Sequence, residues 1–463
     1  MRLKRVRTSV RGLILWEWAI FFWTVRRLNG FTRPAAHCHL SPQAIYEDRT
    51  FLSVGELMLS DDHYKWRLMR ACGVEEYYIT GGAPWPEKFK RYAGCLEQAP
   101  GHPLTDWTQM ELSFYFGIEM PLNSKTASDI WTEANRTIGA KALSPRKLIE
   151  ASNVRYIATT DDPAENLSFH QKLRQQGMTR TAVRPTFRAD NLLSIHREGS
   201  GSYVGRLGIS AGVTIRSYRD FLQAASKRLL DFSQAGCKLM DVGIERFPLC
   251  QGTFQQAEEA FQKGVSGLPV PDGEHDAFLF ETLAFLAGEC RQRGMTLQLH
   301  LGALRNPNTF LYENLGPDCG GDCMGDPIPQ RALCRLLDVI NRRFGLPHVI
   351  LYPLNPAMVE PFLSIAGSFP GVTVGPAWWF NDHLFGIRRQ LRAFTANLPL
   401  GTYPGMVTDS RSFTSFVRHD YFRRIFASHL GEITQSGRFS EQAALEIIRR
   451  AYFTNAEQMV SRL

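Results

Sequence analysis

The stretch "HDAFLFETLAFLAGECRQRGMTLQLHLG", residues 275–302, decides how this chain is read. Residues 275–294 form a helix-length amphipathic run closed by Gly294, a residue suited to a helix C-cap, and "MTLQLHLG" at 295–302 is a β-type run that delivers a histidine, His300, near its end. A helix feeding a strand that ends on a polar residue is one unit of an alternating α/β fold. The unit recurs in both directions: "YRDFLQAASKRLLDFSQAG" leads into "KLMDVGI" at 238–244. Further β-type runs stand at "HCHL" (37–40), "YIATT" (156–160), "VRPTF" (183–187), "HVILYPL" (348–354), "VTVGPAW" (372–378) and "YPGMVTD" (403–409). Strand alternating with helix eight times is the pattern of a (β/α)8 TIM barrel. The long interval after the first run carries helical patterns instead ("HYKWRLMRACGV", "DWTQMELSFYFGI", "TASDIWTEANRTI"). It ends at "SPRKLIEA", where Ser144 can cap and Pro145 takes the first helical position, so a helical insertion is expected at about 45–152.

The chain's 463 residues, 44% hydrophobic and 21% charged, can bury a large core, and no repeat, low-complexity run or linker divides them. The formal charge of +8 is concentrated at the start: residues 1–33 hold Arg2, Lys4, Arg5, Arg7, Arg11, Arg26, Arg27 and Arg33 against Glu17 alone. The remainder is close to neutral, which excludes a broad nucleic-acid-binding face. The apolar run "GLILWEWAIFFW" in that segment is too short to span a bilayer and contains Glu17. Residues 1–34 therefore read as a basic and apolar appendage without membrane contact, with a signal peptide, a surface helix and a poorly packed helix as the alternatives, and 35–463 as the barrel domain. Nine scattered cysteines do not form a disulfide framework, which places the chain in a reducing cytoplasm, and Cys319 and Cys323 of "CGGDC" read as loop thiols. The sequence leaves the oligomeric state open, a homo-oligomer included.

In such a barrel the C-terminal strand ends and the loops beyond them build the site. These ends carry His37 and His39, Asp161 and Asp162, Arg188, Asp241, His300, Asn355, the group Trp379, Asn381 and Asp382, and finally Asp409 with Arg411. Two imidazoles one residue apart project from one face of an extended strand. With His300 and Asp409 they form a nitrogen/oxygen set suited to zinc or a similar divalent ion. Each residue alone has a plainer reading: loop histidines for His37 and His39, a hydrogen-bonded core histidine for His300, an N-cap near Ser412 for Asp409. Arg188, Arg411 and the cluster Arg418, Arg423 and Arg424 offer forks for a carboxylate, or, for the cluster, a solvated helix face.

The motifs "HCHL", "DHYKWRLMRACGV", "ATTDDP", "TFRAD", "LHLGALRNPNT", "LGPDCGGDCMGD", "LYPLNP", "WWFND" and "GMVTDSRSFTSFVRHDYFRRI" resemble those of the uronate (glucuronate) isomerases of the amidohydrolase superfamily, from about residue 35 to the C-terminus. The resemblance implies a small sugar acid as substrate and aldose–ketose isomerisation of hexuronates, D-glucuronate to D-fructuronate and D-galacturonate to D-tagaturonate. It implies metal ligation by His37, His39 and Asp409, catalytic roles for Asp409, His63, Tyr64 and Arg411, and a sugar site including Arg188; the strand-end residues His300, Trp379 and Asp382 are assigned with Arg188 to substrate binding. The chain departs from the family pattern at Ala35 and Ala36, Asp106, Gln109, Ala189 and Val242, where "DVG" stands for "DHG". The alternatives are a metal-dependent hydrolase or other sugar-acid enzyme on the same barrel, or a catalytically decayed paralogue.

Overall fold

The computed structural model describes residues 33–35, 37–177 and 180–461; the expected appendage falls, up to residue 32, outside them. Its centre is a set of short parallel strands. β1 (Arg33–Ala35) pairs with β2 (Val154–Ala158), and β2 pairs with β3 (Ala182–Arg184). β4 (Phe187–Arg188) pairs with β5 (Leu239–Val242), and β5 with β6 (Thr296–Leu301). Beyond an antiparallel pair, β7 (Ala303–Leu304) with β8 (Cys323–Met324), the order continues as β6, β9 (His348–Pro353) and β10 (Val372–Val374). A parallel bridge between Asp161 and Phe187 joins the two groups. Neighbours in this arc follow one another in the chain, the order that successive strand–helix–strand crossovers produce.

Every residue of β5, β6 and β10 is buried, as is all of β9 except His348. Parallel strands covered on both faces need such continuous apolar runs, and "LQLHL" and "VILYP" supply them. The helices between have the expected signals. Tyr218–Gln234 opens with a capping box in which Ser217 accepts from the Asp220 amide while the Asp220 carboxylate accepts from the Ser217 amide. Asp272–Gln292 buries residues all round, because it lies between the strands and further helices.

The insertion is helical, with His63–Ala71, Pro103–Glu111 and Ala127–Lys141 where the sequence patterns lie, and Trp85–Glu97 in addition. Pro145 does open the helix Pro145–Ala151, but the Ser144 hydroxyl accepts no capping hydrogen bond.

Three expected runs differ. "HCHL" follows β1 rather than forming a strand, and "VRPTF" is split into β3 and β4 around Pro185, which has no amide hydrogen to give a ladder. Among the described residues 403–409 contains no strand: Gly405 (φ 97°) and Asp409 (φ 46°) take left-handed conformations that no ladder accommodates. The observed sheet is therefore an open parallel sheet. The last run still meets the first, since the His39 amide donates to the Ser410 carbonyl at 3.0 Å. The helix after it is Val417–Gln435 and starts well past Ser412, so Asp409 is no N-cap. No helix among the described residues is long and apolar enough to cross a membrane, and all nine cysteines are free thiols.

Removing the capping-box hydroxyl leaves the Asp220 amide without its acceptor. Ser217→Ala should lower the unfolding free energy by about 1 kcal/mol in denaturant titration, with the slope unchanged.

Candidate active site

The chain ends of β1 and of the 403–409 segment bring three side chains together. His37 Nε2 lies 3.1 Å and His39 Nε2 3.2 Å from the same Asp409 oxygen, Oδ1, and the two rings stand nearly perpendicular at 83°. Asp409 holds a left-handed backbone that aspartate tolerates better than most residues, and the turn aims its carboxylate at both imidazoles. A second carboxylate, Asp241 at the end of β5, is 0% exposed and meets three partners: Arg188, whose Nη1 contacts Oδ2; His300, whose Nδ1 is 2.6 Å from Oδ1; and His37, whose Nδ1 is 3.5 Å from Oδ2. Arg188 also grips Asp190 with Nε at 2.8 Å and Nη2 at 2.7 Å, and Gly243 passes so close to this guanidinium that a Cβ there would overlap it. His300 stacks on Tyr352 with centroids 4.3 Å apart and meets Trp378 edge-on.

His37, His39, Arg188, Asp190, His300, Trp378 and Asp409 line a cavity of about 790 Å³, together with His63, Arg411 and Trp379, while Asp241 and Tyr352 lie behind its surface. Arg411 pairs with Asp318 at 3.0 Å. Trp379 has φ 51°, a strained backbone for a bulky residue, held in place by His63 edge-on and Arg305 over its ring at 5.5 Å. The indole N–H groups of Trp378 and Trp379 have no hydrogen-bond acceptor among the described residues.

Burial and neighbouring charge set the ionisation. Burial, the largest influence on Asp241 and Asp409, acts upward, yet Arg188 with His300 and His37 for the first, and His37 with His39 for the second, hold both carboxyls well below their usual range. His39 and His300 are pushed down by burial, and His63 falls to about 4, so these rings are neutral at pH 7. Burial lifts the Asp382 carboxyl to about 8.

Most of the expected residues converge: His37, His39, His63, Arg188, His300, Trp379, Asp409 and Arg411 all face the cavity. Tyr64 and Asp382 do not. Tyr64 sits behind His63 with ring centroids 4.8 Å apart, and its hydroxyl donates to Asp382 Oδ2 at 3.2 Å. Asp382 therefore does not line the cavity where substrate binding was expected of it; it follows the turn Trp379–Asn381 and is buried. Arg188 is not an open fork either, because Asp190 and Asp241 occupy three of its five N–H directions. Of the basic cluster, Arg418 is wholly buried rather than solvated. Val242 belongs to the hydrophobic core and, one residue along the strand from Asp241, points to the other face. Sequence reasoning placed Asp241 at a strand end without naming its partners and gave no role to Asp190, although the "FRAD" spacing puts an acid two residues from Arg188.

Comparison with known proteins agrees with this arrangement. The glucuronate isomerase family model matches residues 33–460. The chain is 41% identical to the uronate isomerase of Caldanaerobacter subterraneus subsp. tengcongensis over 91% of its own length and 92% of that protein's. It is also 41% identical to that of Shouchella clausii, covering 87% and 86%. In three dimensions it superposes on the crystal structure of uronate isomerase from Thermotoga maritima with a TM-score of 0.90 at 29% identity, over 94% of this chain and 97% of that one. The fold also matches glucuronate isomerase from Caulobacter crescentus (TM-score 0.86, 24% identity, 93% and 91% covered). With the family match spanning nearly the whole chain and the histidine and aspartate cluster in place, the chain belongs to the glucuronate isomerase family and is an isomerase of uronates.

Proposed function

We propose that the enzyme interconverts aldose and ketose hexuronates, D-glucuronate with D-fructuronate and D-galacturonate with D-tagaturonate, in the cavity beside Asp409. The observation that carries this reading is the convergence of His37, His39 and Asp409 in a cavity that also presents Arg188, Arg411 and the indole N–H donors of Trp378 and Trp379. We read the parallel arc as a (β/α)8 barrel whose eighth position is residues 403–410; the His39–Ser410 hydrogen bond supports that closure.

His37, His39 and Asp409 are suited to a divalent ion. Their ligand atoms lie within 4.8 Å of one another. His37 Nδ1 is buried without a hydrogen-bond partner while facing Asp241, the arrangement in which a ligating imidazole turns its other nitrogen to a carboxylate. A divalent ion held there, zinc or a similar metal, would supply Lewis acidity toward substrate oxygens. The chain's own groups do the rest. Asp409 Oδ1 is shared by the two imidazoles, and Oδ2 is left to carry the proton between carbon 2 and carbon 1 through an enediol. His63, neutral at pH 7, and Tyr64 behind it exchange hydroxyl protons. The indole N–H groups of Trp378 and Trp379 donate to sugar hydroxyls, and Arg411 with the remaining donors of Arg188 faces the carboxylate. Nine free thiols are in keeping with a reducing cytoplasm.

Purified protein given glucuronate or galacturonate should yield ketose. His37→Ala, His39→Ala and Asp409→Asn should each lose metal, by elemental analysis, and turnover together while the circular dichroism spectrum is retained. Full metal content in all three would remove the shared-ion reading.

Arg411→Lys and Arg188→Lys should each raise KM by about tenfold or more, since an ammonium cannot reproduce a planar fork. They should separate in stability: Arg188→Lys also leaves buried Asp241 short of a partner and should lower Tm, whereas Arg411→Lys should leave Tm unchanged.

A further inference from the structure

Behind the cavity wall lies a group of charges that the reaction does not visibly use. Arg418 sits in the first turn of the helix Val417–Gln435, 0% exposed, where the helix dipole opposes a cation. Its guanidinium is sandwiched between two aromatic faces, Tyr64 at 4.2 Å and Trp107 at 4.1 Å. Among the described residues no carboxylate reaches it at hydrogen-bonding distance: Asp62 Oδ2 is 3.6 Å and Asp382 Oδ2 4.0 Å away, and Nε and Nη2 have no acceptor there. Nη1 donates to the Thr408 carbonyl at 3.3 Å, beside Asp409. Asp62 is in turn shared with Lys65, 3.4 Å away, which binds Glu111 at 2.8 Å, all of them buried.

A buried cation at the wrong end of a helix, with incomplete hydrogen bonding, is a poor stabilising device. The placement makes sense through what it touches. Tyr64 is held on its face by Arg418 and at its hydroxyl by Asp382, and these two holders also face each other. Ring position and hydroxyl direction are fixed by the same pair. We infer that Arg418 is a positioning residue for the isomerisation, clamping the Tyr64 phenol behind His63 so that its hydroxyl exchanges protons with the sugar only through that imidazole, the one of the two rings that faces the cavity. The inference rests on the proposed proton-exchange role of Tyr64.

A double-mutant cycle on kcat and KM tests both. Tyr64→Phe alone should lower kcat by roughly a hundredfold, the scale of one proton-transfer group. If Tyr64→Phe turns over like the parent enzyme, the role of Tyr64 falls and the clamp with it. If Tyr64 matters, Arg418→Met should lower kcat by about tenfold or more with KM within about threefold, and in the Tyr64→Phe background the same change should cost less than about threefold. Losses that multiply in both backgrounds would overturn the clamp while leaving the role of Tyr64 intact. Should Arg418→Met not fold, Arg418→Lys carries the same cycle: the charge stays, the planar stack is lost, and the loss in kcat should again vanish beside Tyr64→Phe.

Discussion

The site depends on one buried carboxylate. Asp241, without solvent contact, takes a guanidinium from the end of β4, an imidazole from β6 and the edge of His37 from the segment after β1. A bare carboxylate there would be expensive in free energy, and each partner would be poorly placed without it. Asp241 therefore fixes Arg188, His300 and His37 relative to one another. His37 passes that order to Asp409 and, through the shared oxygen, to His39.

That dependence also explains how the departures from the family pattern are absorbed. Val242, which stands where the motif of the resembling family has histidine, belongs to the buried apolar cluster on the core side of β5, and none of the contacts described for Asp241 passes through it. The cation–carboxylate arrangement on the opposite face is complete.

Much of this could be read from sequence and some could not. Alternation of helix and strand is a repeating signal, so the parallel arrangement and the helical insertion were legible, and "HCH" with "TDSR" named the residues that meet at Asp409. The conformation of "YPGMVTD" was not, since its apolar character resembles a strand while Gly405 and Asp409 turn left-handed. Burial of individual charges was hidden too. Arg418 looks like any basic helix residue until Tyr64 and Trp107, more than three hundred positions earlier in the chain, are seen on either side of it. The pairing of Arg188 was hidden for the same reason, because Asp241 reaches it from another strand.

The contact of His37 with Asp409 joins residues 372 positions apart. Ribosomal elongation at about 5–20 residues per second means that the first strand waits roughly 20–75 s for the segment that completes its site. Through that interval β1 can pair with β2 but has no neighbour on its other side, and Asp62 and Lys65 have yet to meet Arg418. The site is consequently completed late in synthesis, and the free edge of β1 stays open until the turn Arg450–Thr454 packs beside it.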